Sequence, residues 1–115
     1  MPMRFRSSGA VCEWDAFANK LSTDVYVDVG VWSVAYYKTK TFTFSATTNN
    51  LLVNVLGSKD GGTTFAAVES AISVTTGAAV EKVYTDMYTH LKVQVKAAVG
   101  GSQGTLATKY FGTWV

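Results

Sequence analysis

The sequence holds one cysteine, Cys12, one proline, Pro2, and one histidine, His90. A single thiol excludes an intramolecular disulfide and a cysteine-based zinc cluster. With proline confined to the second position, no later strand loses a backbone donor to it. A lone histidine with no second histidine or cysteine nearby supplies neither a triad nor a metal motif. Charge is scarce as well: acidic and basic residues make up 16%, against roughly a quarter in ordinary soluble domains. The net charge of +2 is too small for the basic stripe of a nucleic-acid binder. The lysines (Lys20, Lys38, Lys40, Lys59, Lys82, Lys92, Lys96 and Lys109) are scattered as on solvated strand faces and protected sheet edges. No apolar run approaches the roughly 18 residues of a membrane helix. The opening Met-Pro-Met-Arg-Phe-Arg is not followed by the apolar segment of a signal peptide. The expectation is a chain made in a cytoplasm, with neither nucleic acid nor membrane as partner.

In place of charge the chain uses threonine, valine, serine, asparagine and glycine. Threonine and valine are branched at Cβ, which restricts χ1 and suits a pleated, half-buried surface. With 115 residues, 48% of them apolar, the chain can fill one core between two layers but not a second. Residues 24–30 set Val25, Val27 and Val29 against Asp24, Tyr26 and Asp28, and the apolar stretch 31–35 bends toward the next strand. In residues 36–45, Lys38, Lys40, Phe42 and Phe44 share one side and Tyr37, Thr39, Thr41 and Thr43 the other. The inward side is therefore expected to change along this strand, through twist or a bulge. Residues 51–58, 65–70 with 72–75, 80–85, 90–97 and 105–115 complete the set, the stretch around 69–71 being readable as the irregular middle of one strand.

Turn chemistry separates these runs at Thr47-Thr48-Asn49-Asn50, Lys59-Asp60-Gly61-Gly62, Thr76-Gly77-Ala78 and Gly100-Gly101-Ser102-Gln103-Gly104. Short strands at intervals of roughly 8–12 residues predict an all-β fold, a single antiparallel β-sandwich of jelly-roll or immunoglobulin-like type over residues 24–115. Residues 1–23 fall outside the pattern and are expected as an extended N-terminal arm, with a short helical turn or irregular backbone at 12–20. Large apolar side chains on such an arm need cover, from the sandwich itself or from a neighbouring subunit. Arg4, Phe5, Arg6, Val11, Trp14 and Phe17 are therefore the candidate interface.

Nothing in the sequence points to catalysis. The carboxylates Glu13, Asp15, Asp24, Asp28, Asp60, Glu69, Glu81 and Asp86 form no spaced acid motif. The Lys59-Asp60-Gly61-Gly62 turn lacks the repeated oxygen ligands of a calcium loop. The glycines at 100–104 precede no helix and no Gly-Lys-Ser/Thr. A pairing of Cys12 with His90 rests on their number alone, and no metal or cofactor is expected. The aromatic residues carry more information. Trp14, Trp32, Tyr36, Tyr37, Tyr84, Tyr88, Tyr110, Phe111 and Trp114 are many for this length, and such rings fill cores, anchor interfaces or stack on sugars. Trp32, Tyr84 and Tyr88 are the candidate platform for a carbohydrate-binding or adhesion module, the alternative to a structural role.

Three stretches carry a resemblance: Lys40-Thr41-Phe42-Thr43-Phe44; Leu52-Val53-Asn54-Val55-Leu56-Gly57-Ser58-Lys59-Asp60-Gly61-Gly62; and Tyr88-Thr89-His90-Leu91-Lys92-Val93-Gln94-Val95-Lys96, followed by the Gly104-Thr105 strand ending in Gly112. From about residue 36 onward the chain resembles small phage structural proteins of the sandwich type, found in head decoration (cement), tail and fibre. The resemblance implies a virion protein without catalytic residues or cofactors, working as a homo-oligomer, a trimer by preference. Its further partners would be other virion proteins such as a major capsid protein.

Overall fold

The computed structural model describes residues 3–7, 10–35 and 37–113, up to residue 20 as backbone alone. These residues form nine strands: β1 (Met3–Ser7), β2 (Ala10–Leu21), β3 (Val27–Ser33), β4 (Thr39–Thr47), β5 (Leu51–Ser58), β6 (Ala66–Val74), β7 (Val80–Tyr84), β8 (His90–Ala97) and β9 (Thr105–Thr113). They make two sheets, one of order β1-β2-β9-β4-β7 and one of order β3-β8-β5-β6, with every strand pair antiparallel. The fold is a small all-β sandwich of two antiparallel sheets.

The alternation read from the sequence becomes the core. Leu51, Val53 and Val55 of β5 and Leu91, Val93 and Val95 of β8 are fully buried. They sit side by side through the register Val53↔Val95 and Val55↔Val93. Phe42 and Phe44 of β4 and Leu106 and Tyr110 of β9 join the same core from the other sheet. Each such side chain contributes on the order of 1.5–3 kcal/mol by leaving water. The Phe42 ring is its aromatic centre, with Tyr110 and Trp32 each 5.2 Å away between centroids.

Three expectations need correction. The inward side of β4 does not change: Lys40, Phe42, Phe44 and Ala46 all point into the sandwich, and Lys40 is as buried as the phenylalanines. A lysine read as solvated is a core residue here because its head reaches a carbonyl at the end of the sandwich. The third strand begins at Val27 rather than residue 24 and runs through Trp32, with a register shift between Asp28 and Gly30. That bulge turns an edge strand away from straight pairing, and Val25, which precedes the strand, is 68% exposed.

The third correction concerns residues 1–23. Among these, the described residues 3–7 and 10–21 are extended, as two strands of the five-stranded sheet, so the arm is part of the sandwich and 12–20 is strand rather than a helical turn. β2 pairs with β9 from Cys12↔Thr113 to Leu21↔Thr105, with an irregularity between Asp15 and Phe17. Without β2, the long strand β9 would present an unpaired edge of backbone donors and acceptors. The stretch 65–75, by contrast, holds a single strand, β6, with its irregular middle in place. Ala71 has φ of 54°, and its N–H donates to Asn54 Oδ1 at 2.9 Å, so an asparagine side chain stands in for the missing ladder bond.

Candidate interaction surfaces

At one end of the sandwich the aromatic residues gather around Lys40. Two glycines make room for them. A Cβ at Gly112 would lie 2.6 Å from the Tyr110 hydroxyl oxygen and 2.7 Å from Tyr37 Cγ, and one at Gly57 would lie 2.5 Å from the Tyr88 ring. Lys40 pairs in register with both Tyr84 and Gly112, and its Nζ donates to the Asp86 carbonyl at 2.5 Å. Burial pulls the Lys40 ammonium below the usual lysine range, and the Asp86 charge opposes that shift. The lysine thereby pins the β7–β8 corner, residues 85–89, to the end of the core.

Around this corner the edges of the two sheets are clasped together. The Tyr84 hydroxyl donates to Glu69 Oε1 at 2.9 Å, and Lys82 Nζ lies 2.9 Å from Glu69 Oε2. The Lys82 ammonium holds the Glu69 carboxyl below its ordinary range, whereas burial, aided by the same carboxylate, pushes the Tyr84 phenol upward. Beside the clasp lies a shallow groove of about 210 Å³, lined by Val68, Val83, Tyr84, Thr85, Asp86 and Tyr88. Val83 and Met87 are exposed at 52% and 75%.

The sugar platform expected at Trp32, Tyr84 and Tyr88 does not assemble. Trp32 is a core residue, 5% exposed and edge-on to Phe42, so neither ring face is open to a ligand. Tyr84 is half-buried with its hydroxyl committed to Glu69. Tyr88 rests over Gly57, and Lys59 Nζ stands 5.4 Å from its ring centroid. Tyr84 and Tyr88 do come together, but as walls of the groove. That geometry suits an inserted apolar side chain better than a stacked sugar ring.

The six candidate interface residues are placed by backbone only, their side chains lying outside the described residues. Register nonetheless sorts them. Phe5 lies opposite Cys12, which lies opposite Thr113, which lies opposite Thr39. The next row runs Met3, Trp14, Phe111, Thr41 and Val83 across all five strands, and the following one runs Phe17, Lys109, Thr43 and Glu81. Thr39, Thr41 and Thr43 alternate with buried Lys40, Phe42 and Phe44, so these three rows belong to the outer side of the sheet. Arg4 falls in the intervening row with Glu13, Gly112 and Lys40, and Arg6 lies opposite Val11. Cys12 and His90 stand on different sheets. His90 Nδ1 is 3.1 Å from Thr89 Oγ1. Among the described residues, no three of the metal-ligating types come together.

The opposite end of the sandwich is polar, and its wiring was not foreseen. Ser22 N–H donates to the Gly104 carbonyl at 2.8 Å, and Gly104 N–H donates back to Ser22 Oγ at 3.1 Å. Gln103 Nε2 and Gly101 N–H both donate to Asp24 Oδ1, which holds that carboxyl below its ordinary range, Gly101 most strongly. Asn49 Nδ2 donates to the Gln103 carbonyl at 2.8 Å. Each residue reads alone as turn chemistry. Their pairing across more than fifty positions has no local signal.

No family model matches the chain, and no curated protein matches it significantly in sequence. Solved structures similar in fold include the following two. One is a chain from Bacillus endospore appendages, described as a family of disulfide-linked pili, at 15% identity and TM-score 0.56 over 92% of this chain and 89% of that one. The other is a chain from the Gx strain of infectious bursal disease virus, at 12% identity and TM-score 0.55. The likeness covers 98% of this chain but only 31% of the viral one. At such identities the likeness is one of fold alone.

Proposed function

We propose that this chain is a non-enzymatic structural subunit, which builds or decorates a larger particle by contacts with copies of itself and with neighbouring particle proteins. In the finer form of this reading the particle is a phage virion and the subunit a capsid decoration or minor head or tail protein, trimeric by preference. With β1 set aside, the order β2-β9-β4-β7 against β3-β8-β5-β6 is read as a jelly roll, two Greek keys folded into facing sheets.

The observation that carries the reading is the outer side of the five-stranded sheet. Its described members include Thr39, Thr41, Thr43, Ser45 and Thr47 from β4, Thr105, Ala107, Phe111 and Thr113 from β9 and Val83 from β7, and Lys109 and Glu81 bring the charge. A sheet face meant for water usually alternates charged residues. This one is largely uncharged, and its rows contain Phe5, Trp14, Phe17 and Phe111. Depletion of charge with enrichment of aromatics is the mark of an interface centre. The two similar solved chains come from a pilus and a virus, which supports an assembly role for this chain. Light scattering behind a sizing column is the test, on the full chain and on Trp14→Ala and Phe17→Ala. A discrete trimer or larger species, reverting to monomer in the variants with unchanged circular dichroism, is expected. A wild-type chain that stays monomeric at every concentration, and forms no ordered particle under the electron microscope, refutes the proposal.

A further inference from the structure

The polar end of the sandwich holds a concavity of about 250 Å³, lined by Thr48, Asn49, Asn50, Thr76, Ala98, Val99 and Ser102. Three connections meet there: residues 48–50 between β4 and β5, 75–79 between β6 and β7, and 98–104 between β8 and β9. They are tied to one another rather than merely adjacent. Thr76 N–H donates to Asn50 Oδ1 at 3.0 Å, Ala98 N–H to the Asn50 carbonyl at 3.2 Å, and Ser102 N–H to the Val99 carbonyl at 3.0 Å. With Asn49 fastened to Gln103, the bowl is held open by the fold, and a ligand would not have to order it.

Its chemistry is narrow. The lining carries no charged side chain, so no counter-charge there favours a phosphate, a sulfate or a cation over a neutral ligand. It offers hydroxyls and amides, groups that donate and accept alike, beside the methyls of Ala98 and Val99, the latter 65% exposed. Among the described residues, the hydroxyls of Thr48 and Ser102 and the Nδ2 of Asn50 have no protein partner. One backbone strain sits on the rim: Thr48 has φ of 81°, a conformation that a β-branched residue adopts only under constraint and that clusters at ligand sites.

We propose that this bowl, where the three connections carrying Thr48–Asn50, Thr76 and Ala98–Ser102 converge, binds a neutral carbohydrate. One uncharged sugar unit would lay its C–H face on Val99 and share hydroxyl hydrogen bonds with Asn50, Thr48 and Ser102. The site uses none of the residues assigned to assembly, so its failure leaves that reading untouched.

The test is a glycan array with the full-length chain, spanning neutral and anionic oligosaccharides, followed by calorimetric titration of the best neutral binder. Ser102→Ala should weaken binding by about tenfold, the equivalent of one lost hydrogen bond. Ser102→Tyr should abolish it by filling the bowl. Tyr88→Ala, at the other end, should leave it unchanged. Melting temperature checks that each variant is folded, and Ser102→Ala removes no contact the fold uses. A blank array, a preference for anionic glycans, or binding that survives Ser102→Tyr and falls in Tyr88→Ala would each overturn the proposal.

Discussion

Gly57 is a position where one methyl group tests the packing of the aromatic end. In a free strand, glycine to alanine would stabilise by about 0.5–1 kcal/mol through the entropy of the unfolded chain. Here the new Cβ would sit 2.5 Å from Cδ1 and Cε1 of Tyr88 and 2.9 Å from Val68 Cγ2. Both neighbours must move, and overpacking of this kind costs about 1–3 kcal/mol. Subtracting the entropic gain leaves Gly57→Ala less stable by about 1 kcal/mol, and by about 2.5 kcal/mol at most, a fall of about 5 °C or more in melting temperature for a domain of this size. Thermal melts and urea titrations read this directly. The cause is isolated by repeating the change in a Tyr88→Ala background, where the clash with the ring is gone and only the milder contact with Val68 Cγ2 remains, so that the penalty of Gly57→Ala should shrink. A Gly57→Ala protein as stable as wild type, or one with the same penalty whether or not Tyr88 is present, would refute the argument that this glycine exists to seat that ring.

Two further outcomes follow from charged groups. Lys40→Met should be neutral or stabilising by about 1 kcal/mol, because a desolvated ammonium gives way to an apolar chain of similar reach while Asp86, exposed, turns its carbonyl to water. The lowered Lys40 pKa means the unfolded chain binds more protons just below the ordinary lysine range, so wild-type stability should rise with pH in that window. The rise should vanish in Lys40→Met melts, and its persistence would assign it to another group. At the acid side, Asp60 is held far below its ordinary value, first by the Thr64 hydroxyl and then by the Thr64 N–H and Ser58; Asp24 and Glu69 are lowered as well. Depressed carboxylates contribute stability that is whole above about pH 4–5 and is lost as pH falls through their folded values. Asp60→Asn should flatten that acid limb in a melting-temperature series, and an unchanged limb would show that the β5–β6 turn opens independently of global unfolding.

The strands themselves were legible from composition and period. β5 and β8 were read with their final bounds, because both sit centrally in a sheet with one buried face, where alternation of apolar and polar is obligatory. The bulge of β6 was legible as a break in that alternation. β2 was not, because the alternation of Cys12, Glu13, Trp14 and Asp15 breaks at Ala16-Phe17, where the strand is irregular against its partner β9. Lys40 was misplaced for a related reason: sequence shows that a lysine is charged but not that a backbone carbonyl waits for it inside the sandwich.

Trp32 was taken for a surface ring because its neighbours Val31 and Ser33 do not reveal which side of an edge strand faces in. The bulge at Val29 made that decision. What the chain determines by itself is its class, an antiparallel sandwich with no intramolecular disulfide, since these depend on residue type and spacing alone. What the tertiary structure decided is which strands neighbour which, hence which aromatic residues are core and which turns share a rim. Those choices depend on contacts between residues far apart in sequence, and no local preference encodes them.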